Sequence, residues 1–474
     1  MSSRRILAIL AILTLVLAAC GQGDESPSAT TGGPDETDSV STPAGSPDET
    51  TAAGGDLEAS GDLFAFGFGY ETGDIIAKTR VDYAMEQYPD LNVTYSESGF
   101  DDQGFLTALA SGDAPDVVNL PRNSIGTYIA RGVLQPLDDC FSSAGVDPSI
   151  YRQAAVDQVT VDGAMYAIPE FYNTRIWIVN DSVFEDAGID PNELDWSDWE
   201  AIADANATLL QTEGGDVTRI GIDPKVPEFL PLWVQANGGR VMSEDGRESL
   251  LDTPEVAEAL EYAQTLIQDH GGITPFLDFR GTWDFFGEAN QVAEDQIGAW
   301  PMEQWYLNVL AEASPDDAIT VLPFMTREGE PITFQDGNAW AITADTDNPD
   351  AACAFITAMT STDAWVASAE ARAEERDAEG LPNTGVYTAN AEADEIIFGE
   401  IVDLSEYPAL DEAVQVVLEV QDSAFGMPPS PAAAEFQQAM IDAVNRALSG
   451  DVSIEEALAA ADQEAQDAID SAAR

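Results

Sequence analysis

The stretch that decides the fold runs LFAFGFGY over residues 63–70, then GDIIAKTRVDYAMEQ over 73–87 and LNVTYSES over 91–98. The first segment is apolar and aromatic with glycine interruptions, the pattern of a buried strand ending in a backbone-exposing turn from Gly67 to Glu71. A helix is predicted from about Ile75 to Gln87, and the third segment alternates apolar and polar residues as a second strand does. Strand, helix and strand in this order predict a mostly parallel sheet covered by helices.

Working outward toward the C-terminus, GFLTALASGDAPDVVNL (104–120) reads as a helix carrying Leu106 and Leu109, a turn, and a buried strand from Asp116 to Leu120. In open α/β sheets ligands gather beyond the carboxyl ends of strands, which points to the loop Pro121, Arg122, Asn123. VDGAMYAIPEFYNTRIWIVN (161–180) joins two runs of β-formers through a glycine turn, with Glu170 to Asn173 as a polar and aromatic interruption suited to a crossover. The DWSDWE pattern at 195–200 predicts a capped helix with Ser197 at the cap and Glu200 three residues on. PEFLPLWVQANGG (227–239) places Glu228, Phe229 and Trp233 around a helix start closed by Gly238 and Gly239. A further helix is predicted from Thr253 to Asp269, capped by Asp252. QIGAWPMEQWYLNVL (296–310) reads as a strand, a turn with Glu303 and Gln304, and a helix opening near Trp305. The chain returns through DGNAWAIT (336–343) and finishes in three or four amphipathic helices.

Working back toward the N-terminus, Arg4 and Arg5 precede an apolar run from Ile6 to Ala19 interrupted by Thr14 alone. That run is shorter than the about 20 residues a bilayer core requires. A charged start, a short apolar run and small residues before a cut site are the marks of a secretory leader, 1–20. LAAC (17–20) followed by Gly21 resembles the bacterial lipobox, which implies that Cys20 becomes the lipidated first residue. Residues 21–60 are Gly, Ser, Thr, Pro, Asp and Glu with almost no large apolar side chain, so they read as a flexible tether. The remainder exceeds one ordinary hydrophobic core and predicts two lobes.

The formal net charge is -69 and the only lysines are Lys78 and Lys225. Such a field repels nucleic acid and anionic membranes, so a nucleic-acid partner is excluded and membrane attachment is expected through the lipid alone. It also keeps a chain hydrated where salt screens charge within a few ångströms, which suggests a saline habitat. With Cys20 lipidated, Cys140 and Cys353 remain, either a disulfide or two separate buried thiols.

LASGDAPDVV, GVLQPLDD (132–139), DGAMYAIPEFYNTRIWIVN, ANGG with DTPEVAEALEYAQTLI (252–267), IGAWPMEQW, and GNAWAIT with AACAFITAMTS (351–361) occur here in that order behind the lipobox. Together they resemble the sugar-type, maltose-binding-protein-like solute-binding proteins of ABC importers, over nearly all of Leu63 to Ile469. The resemblance implies an α/β periplasmic-binding-protein fold of two lobes joined by crossing strands, with C-terminal helices. It divides the chain into a first lobe of 61–172 and 336–397 and a second of 173–335 and 398–474, with crossings near Pro169 to Thr174, Asp336 to Trp340 and Phe398. Both remaining cysteines then fall in the first lobe. The ligand expected is a sugar enclosed between the lobes, and the partners expected are the importer's permease subunits, with the protein itself an extracytoplasmic monomer.

Carried over position by position, the resemblance places Tyr70, Glu71, Asn123, Tyr172, Asn173, Glu228, Phe229, Trp305 and Phe436 at the ligand. Trp233, Trp300, Glu303 and Trp340 join them as aromatic or acidic residues on the same loops and strands, each with lobe core as the alternative. No Trp follows the first strand, and Leu120 stands where an aromatic is often found, which argues against a maltodextrin-like ligand.

Catalytic and cofactor chemistry finds little support. His270 is the only histidine, which excludes His-clustered metal sites. It precedes Gly271 and Gly272 at a helix C-terminus, where a cation is favoured. GDIIAKT lacks the glycine that a phosphate loop needs before Lys78. No cofactor, no metal and no enzymatic activity are expected. The competing readings are a surface-anchored carbohydrate-processing enzyme, an adhesive lipoprotein, and a binder of an osmolyte or polyamine.

Overall fold

A computed structural model describes residues 57, 59–315 and 318–473. The leader, Cys20 and nearly all of the tether lie outside the described residues. The first lobe is built on strands β1 (Gly61–Phe66), β2 (Leu91–Tyr95), β3 (Val117–Pro121) and β4 (Ala167–Pro169). The second holds β5 (Arg175–Asn180), β6 (Gln211–Glu213), β7 (Asp216–Ile222), β8 (Ile297–Glu303) and β9 (Ile319–Leu322). The chain then returns to the first lobe as β10 (Asn338–Ile342).

The sheet orders are β2-β1-β3-β10-β4 and β9-β5-β8-β7-β6. β1 runs parallel to β2 and β3, but β10 lies antiparallel between β3 and β4. In the second sheet β7 and β8 are parallel, while β5 is antiparallel to both β8 and β9. Both sheets are therefore mixed, where the opening βαβ segment predicts mostly parallel ones. The first strand after each crossing accounts for the difference: β10 is inserted antiparallel between β3 and β4, which precede it, and β5 lies antiparallel between β8 and β9, which follow it.

Two large cores result, one for each sheet. One gathers Leu63, Val117, Leu120, Phe105, Ile168 and Trp340, the other Trp177, Trp233, Trp300, Leu260 and Val417. The helix Ile75–Gln87, capped by the Asp74 carboxylate, packs with Thr362–Glu379 on the first lobe. The helices Pro408–Val420, Ala433–Leu448 and Ile454–Ala472 close the second core. Six α-helices follow β10 among the described residues, more than the three or four expected. The acid-rich run ASAEARAEERDAE (367–379) carries little apolar periodicity, and so hides its helix from a reading based on pattern.

Two caps differ from expectation. Asp198, not Ser197, caps the helix Trp199–Leu209, its Oδ1 accepting from the Glu200 amide at 2.9 Å. Ser197 is instead held by Asp195. The helix Pro254–Gln268 starts after Thr253 rather than Asp252, because Pro254 supplies the preset φ of a first helical position. Cys140 and Cys353 form a disulfide between the helices Asp138–Ala144 and Pro349–Met359, with Cα atoms 5.6 Å apart.

Candidate ligand-binding site

Two short segments, 170–174 and 335–337, carry the chain between the sheets, and they are bonded to each other. The Asn173 amide donates to the Asp336 carbonyl at 2.9 Å, and the Asp336 amide donates back at 3.1 Å. Arg122, directly after β3, is fully buried beneath them. Its Nη1 donates to the carbonyls of Phe171 and Asn338 at 2.6 and 3.1 Å, its Nη2 to Gln335 at 2.6 Å and its Nε to Gln158 at 2.9 Å. Burial draws this guanidinium down to about 10. Gly337, at φ 149°, lets the segments meet: a Cβ there would lie 2.3 Å from the Phe171 carbonyl and 2.6 Å from Arg122 Nη1. Gln304, past the end of β8, adds a clamp by accepting from the Thr174 amide at 2.6 Å and donating to the Tyr172 carbonyl at 2.9 Å.

On this frame Arg175 opens β5 with its guanidinium turned into the space between the lobes. Nη2 lies 2.7 Å from Asp336 and 3.2 Å from Glu303. The group also stacks 4.8 Å from the Phe229 ring centroid and 5.0 Å from that of Phe334. Burial by itself would raise the Asp336 carboxyl, but the Arg175 charge and hydrogen bond outweigh it and hold Asp336 below the usual carboxylate range.

These groups border a cavity of about 230 Å³. Asn123 reaches it from the end of β3, Glu228 and Phe229 from the loop after β7, and Glu303 from the end of β8. Phe436 closes it from the helix Ala433–Leu448. Three strand carboxyl ends thus converge on one space, the position at which open α/β sheets hold ligands. A larger groove of about 940 Å³ shares Pro231, Met242, Met427 and Pro428 with it but contains none of the thirteen residues expected at the ligand.

Five of those thirteen, Asn123, Glu228, Phe229, Glu303 and Phe436, line the cavity. Asn173 sits against it through its bonds to Asp336 and through its carbonyl, which accepts from Arg175 at 2.9 Å. Trp305 is half-buried two residues beyond Glu303. Tyr70 stacks on Phe68 and packs 4.8 Å from Tyr95 in the loop after β1, beside the exposed Glu71.

Four others are placed elsewhere. Trp233 is 0% exposed, wedged among Trp177, Trp199 and Phe324 with its Nε1 donating to Pro224. Trp300 is buried on β8 beside Tyr306. Trp340 is buried on β10, its Nε1 donating to Glu170 at 3.2 Å. Tyr172 packs with Ala155 and Ala389 under the Arg152 guanidinium, and burial pushes its phenol up to about 12. None of the four has surface left for a ligand, because each fills a core position that a smaller residue would leave empty. Glu170 is likewise spent inside the first lobe, accepting from Arg80, Asn119 and Trp340.

Arg175 and Asp336 are the site residues that the sequence reading missed. One signal was present: a charged side chain at the head of the wholly buried strand RIWIVN. His270 has the structural role that its place at a helix C-terminus suits, but as a neutral ring and not as the cation favoured there. Burial lowers its pKa and leaves it neutral, with Nε2 accepting from the Gly221 amide at 3.0 Å and Nδ1 2.8 Å from the Leu266 carbonyl. Among the described residues no group of three or more His, Cys, Asp or Glu could hold a metal ion, and no helix is long and apolar enough to cross a membrane.

Known proteins share this architecture. The mannobiose complex of CpMnBP1 superposes with a TM-score of 0.68 at 20% identity, over 85% of this chain and 99% of that one. The Listeria monocytogenes ABC substrate-binding protein in complex with cycloalternan gives 0.67 at 20% identity, over 86% and 98%. In sequence, the diacetylchitobiose binding protein DasA of Streptomyces coelicolor is 29% identical over 161 residues, 34% of this chain and 36% of that protein. The chain spans 40% of the length of the Brucella abortus and Brucella suis relatives it matches. The model of the bacterial extracellular solute-binding protein family matches residues 78–374. With more than half of its length matched and the two-lobed fold in place, the chain belongs to that bacterial extracellular solute-binding protein family.

Proposed function

We propose that this protein captures a neutral sugar between its lobes, outside the membrane and without chemical change, and presents it to the permease subunits of an ABC importer. The observation that carries the reading is the cavity at the crossing segments, which collects polar and aromatic groups from both lobes at once. A sugar offers hydroxyls to planar polar partners and a C–H face to aromatic rings. Asn123, Glu228, Glu303 and Asp336 suit the first, Phe229 and Phe436 the second. Three carboxylates face one guanidinium, itself engaged by two of them, so an anionic sugar is disfavoured there.

A ligand that touches both lobes binds the closed arrangement better than the open one, and shifts the equilibrium by that difference alone. The permease would read closure. We assign 61–172 with 336–397 to one lobe and 173–335 with 398–474 to the other. A lipid on Cys20 would hold the monomer at the outer membrane face, with 21–60 as its leash. The glycosidase alternative needs a carboxyl kept protonated as general acid. Asp336 is driven the other way by Arg175.

A thermal-shift screen of mono-, di- and trisaccharides, with galacturonate, an osmolyte and a polyamine as controls, tests the reading. At least one neutral sugar raises the melting temperature, because it binds only the folded chain, and is recovered intact. Cleavage of that sugar, or a shift with the controls alone, overturns the proposal.

A further inference from the structure

With the chain divided into lobes as proposed above, the first lobe carries seven Lys and Arg against 30 Asp and Glu, and the second carries nine against 48. Two bodies so alike in sign repel, and the repulsion grows as the space between them narrows. A fold that brings them together needs either salt to screen the charge or positive groups placed where they meet.

The seven cations of the first lobe are not scattered. Arg80 is spent on Glu170, Arg152 on Asp394 and Arg122 on the crossing segments, while Lys78 pairs with Asp82 on its own helix. The other three all meet the second lobe. Arg376, on the helix Thr362–Glu379, lies 3.0 Å from Glu312 on the helix Tyr306–Ala313. One turn earlier, Arg372 Nη2 donates to Asn308 at 3.2 Å, and the Thr384 hydroxyl donates to the same oxygen at 2.6 Å. At a second contact Arg131 lies 3.8 Å from Glu435, where the Ala433 amide also donates to the Thr127 hydroxyl at 3.1 Å. Among the described residues these two ion pairs are the ones that cross between the lobes outside the cavity, and in both the cation belongs to the first lobe.

The partners on the second lobe border the cavity. Glu435 precedes Phe436, which lines it, and the helix that carries Asn308 and Glu312 opens three residues after Glu303. An isolated exposed pair contributes little to stability. Here placement matters more than the single pair, because each arginine stands in the summed field of the more acidic lobe.

We propose that Arg131, Arg372 and Arg376 form a basic rim that offsets the repulsion between the two acidic lobes and sets how far apart they rest. The rim is an electrostatic latch that acts without ligand. It keeps the separation of the lobes steady as the surrounding salt changes. The proposal rests on the division into lobes given above and not on the identity of the ligand.

The test measures the distance between spin labels at Thr107→Cys and Thr208→Cys, exposed positions on the helices Asp102–Ser111 and Trp199–Leu209, one in each lobe. The full chain carries Cys20→Ser, so that with the Cys140–Cys353 disulfide intact only these two thiols take the label. Raising NaCl from about 0.15 M to about 1 M shortens the reach of a charge from about 8 Å to about 3 Å. With the rim intact the mean distance stays the same across this range. Arg376→Gln and Arg131→Gln each lengthen it at the lower salt, and the excess disappears at the higher. Arg131 and Glu435 are 41% and 49% exposed, so this pair can be altered without disturbing a core. Arg131→Glu lengthens the distance further, and adding Glu435→Arg restores it. Three results would each overturn the latch: distances unchanged by the substitutions, an excess that persists at about 1 M NaCl, or a distance in the unaltered rim that shortens with salt as much as in the variants. No sugar enters the measurement, so its failure leaves the capture of a sugar to be judged by the thermal-shift screen.

Discussion

Nη2 of Arg175 lies 2.7 Å from the carboxylate of Asp336, joining the first residue of β5 to the segment by which the chain leaves the second lobe. The same guanidinium reaches Glu303 and stacks on Phe229, so one side chain organises the polar and the aromatic walls of the cavity. Arg175→Ala leaves two carboxylates facing each other without a cation. Breaking a buried pair from one side costs about 3–5 kcal/mol, and the lower end applies because Asp336 retains 32% side-chain exposure. Chemical denaturation reads that loss. Arg175→Lys restores most of the stability and little of the binding, since an ammonium cannot reproduce the planar fork.

Trp305 and Trp233 separate binding from stability. Trp305→Ala weakens binding of the best sugar and costs the free protein less stability than loss of a core tryptophan, because the ring is only partly buried against the second core. Trp233→Ala opens a cavity in the second core at a cost of about 3–5 kcal/mol. Paired melting and titration curves distinguish the two, and a large stability loss in Trp305→Ala would contradict the assignment.

His270 predicts the direction of an acid effect. Its folded-state pKa is lowered, chiefly by burial, so the neutral ring favours folding. The contribution is complete above the unfolded value of about 6.5 and is lost as pH falls through the folded pKa. As the sole histidine it gives one imidazole resonance, and that resonance titrates below pH 6.5 in the native protein. Titration at or above that value would show that the ring is not desolvated.

The Cys140–Cys353 disulfide closes a loop with a sequence separation of 213. In the chain-entropy model so long a closure contributes about 5 kcal/mol. The Cys140→Ser, Cys353→Ser double variant is expected to melt well below the oxidised protein, with sugar affinity unchanged at low temperature because the bridge lies within one lobe.

Regular elements were the most legible part of the sequence. The helix expected from about Ile75 to Gln87 spans Ile75–Gln87, with the Asp74 carboxylate at its N-terminus. The order of motifs also foretold two lobes and the loops that meet between them. Strand direction was less legible, because parallel and antiparallel burial produce the same apolar runs in β5, β8 and β10. The tryptophans misled for a related reason: Trp233, Trp300 and Trp340 sit in the same kinds of stretch as Trp305, and only packing separates a ring that fills a core from one that borders a space. Asp336 was placed at a crossing but not at the ligand, because among 87 acidic residues a carboxylate carries almost no information until its partner is known.

Gly337 carries a mechanical implication. With the Phe171 carbonyl and the Arg122 guanidinium both within contact range of where a methyl would stand, the joint between the halves has no clearance. Any side chain at this position, even the methyl of alanine, would have to push the two segments apart, so the cost of Gly337→Ala would fall on the joint itself and not on either core.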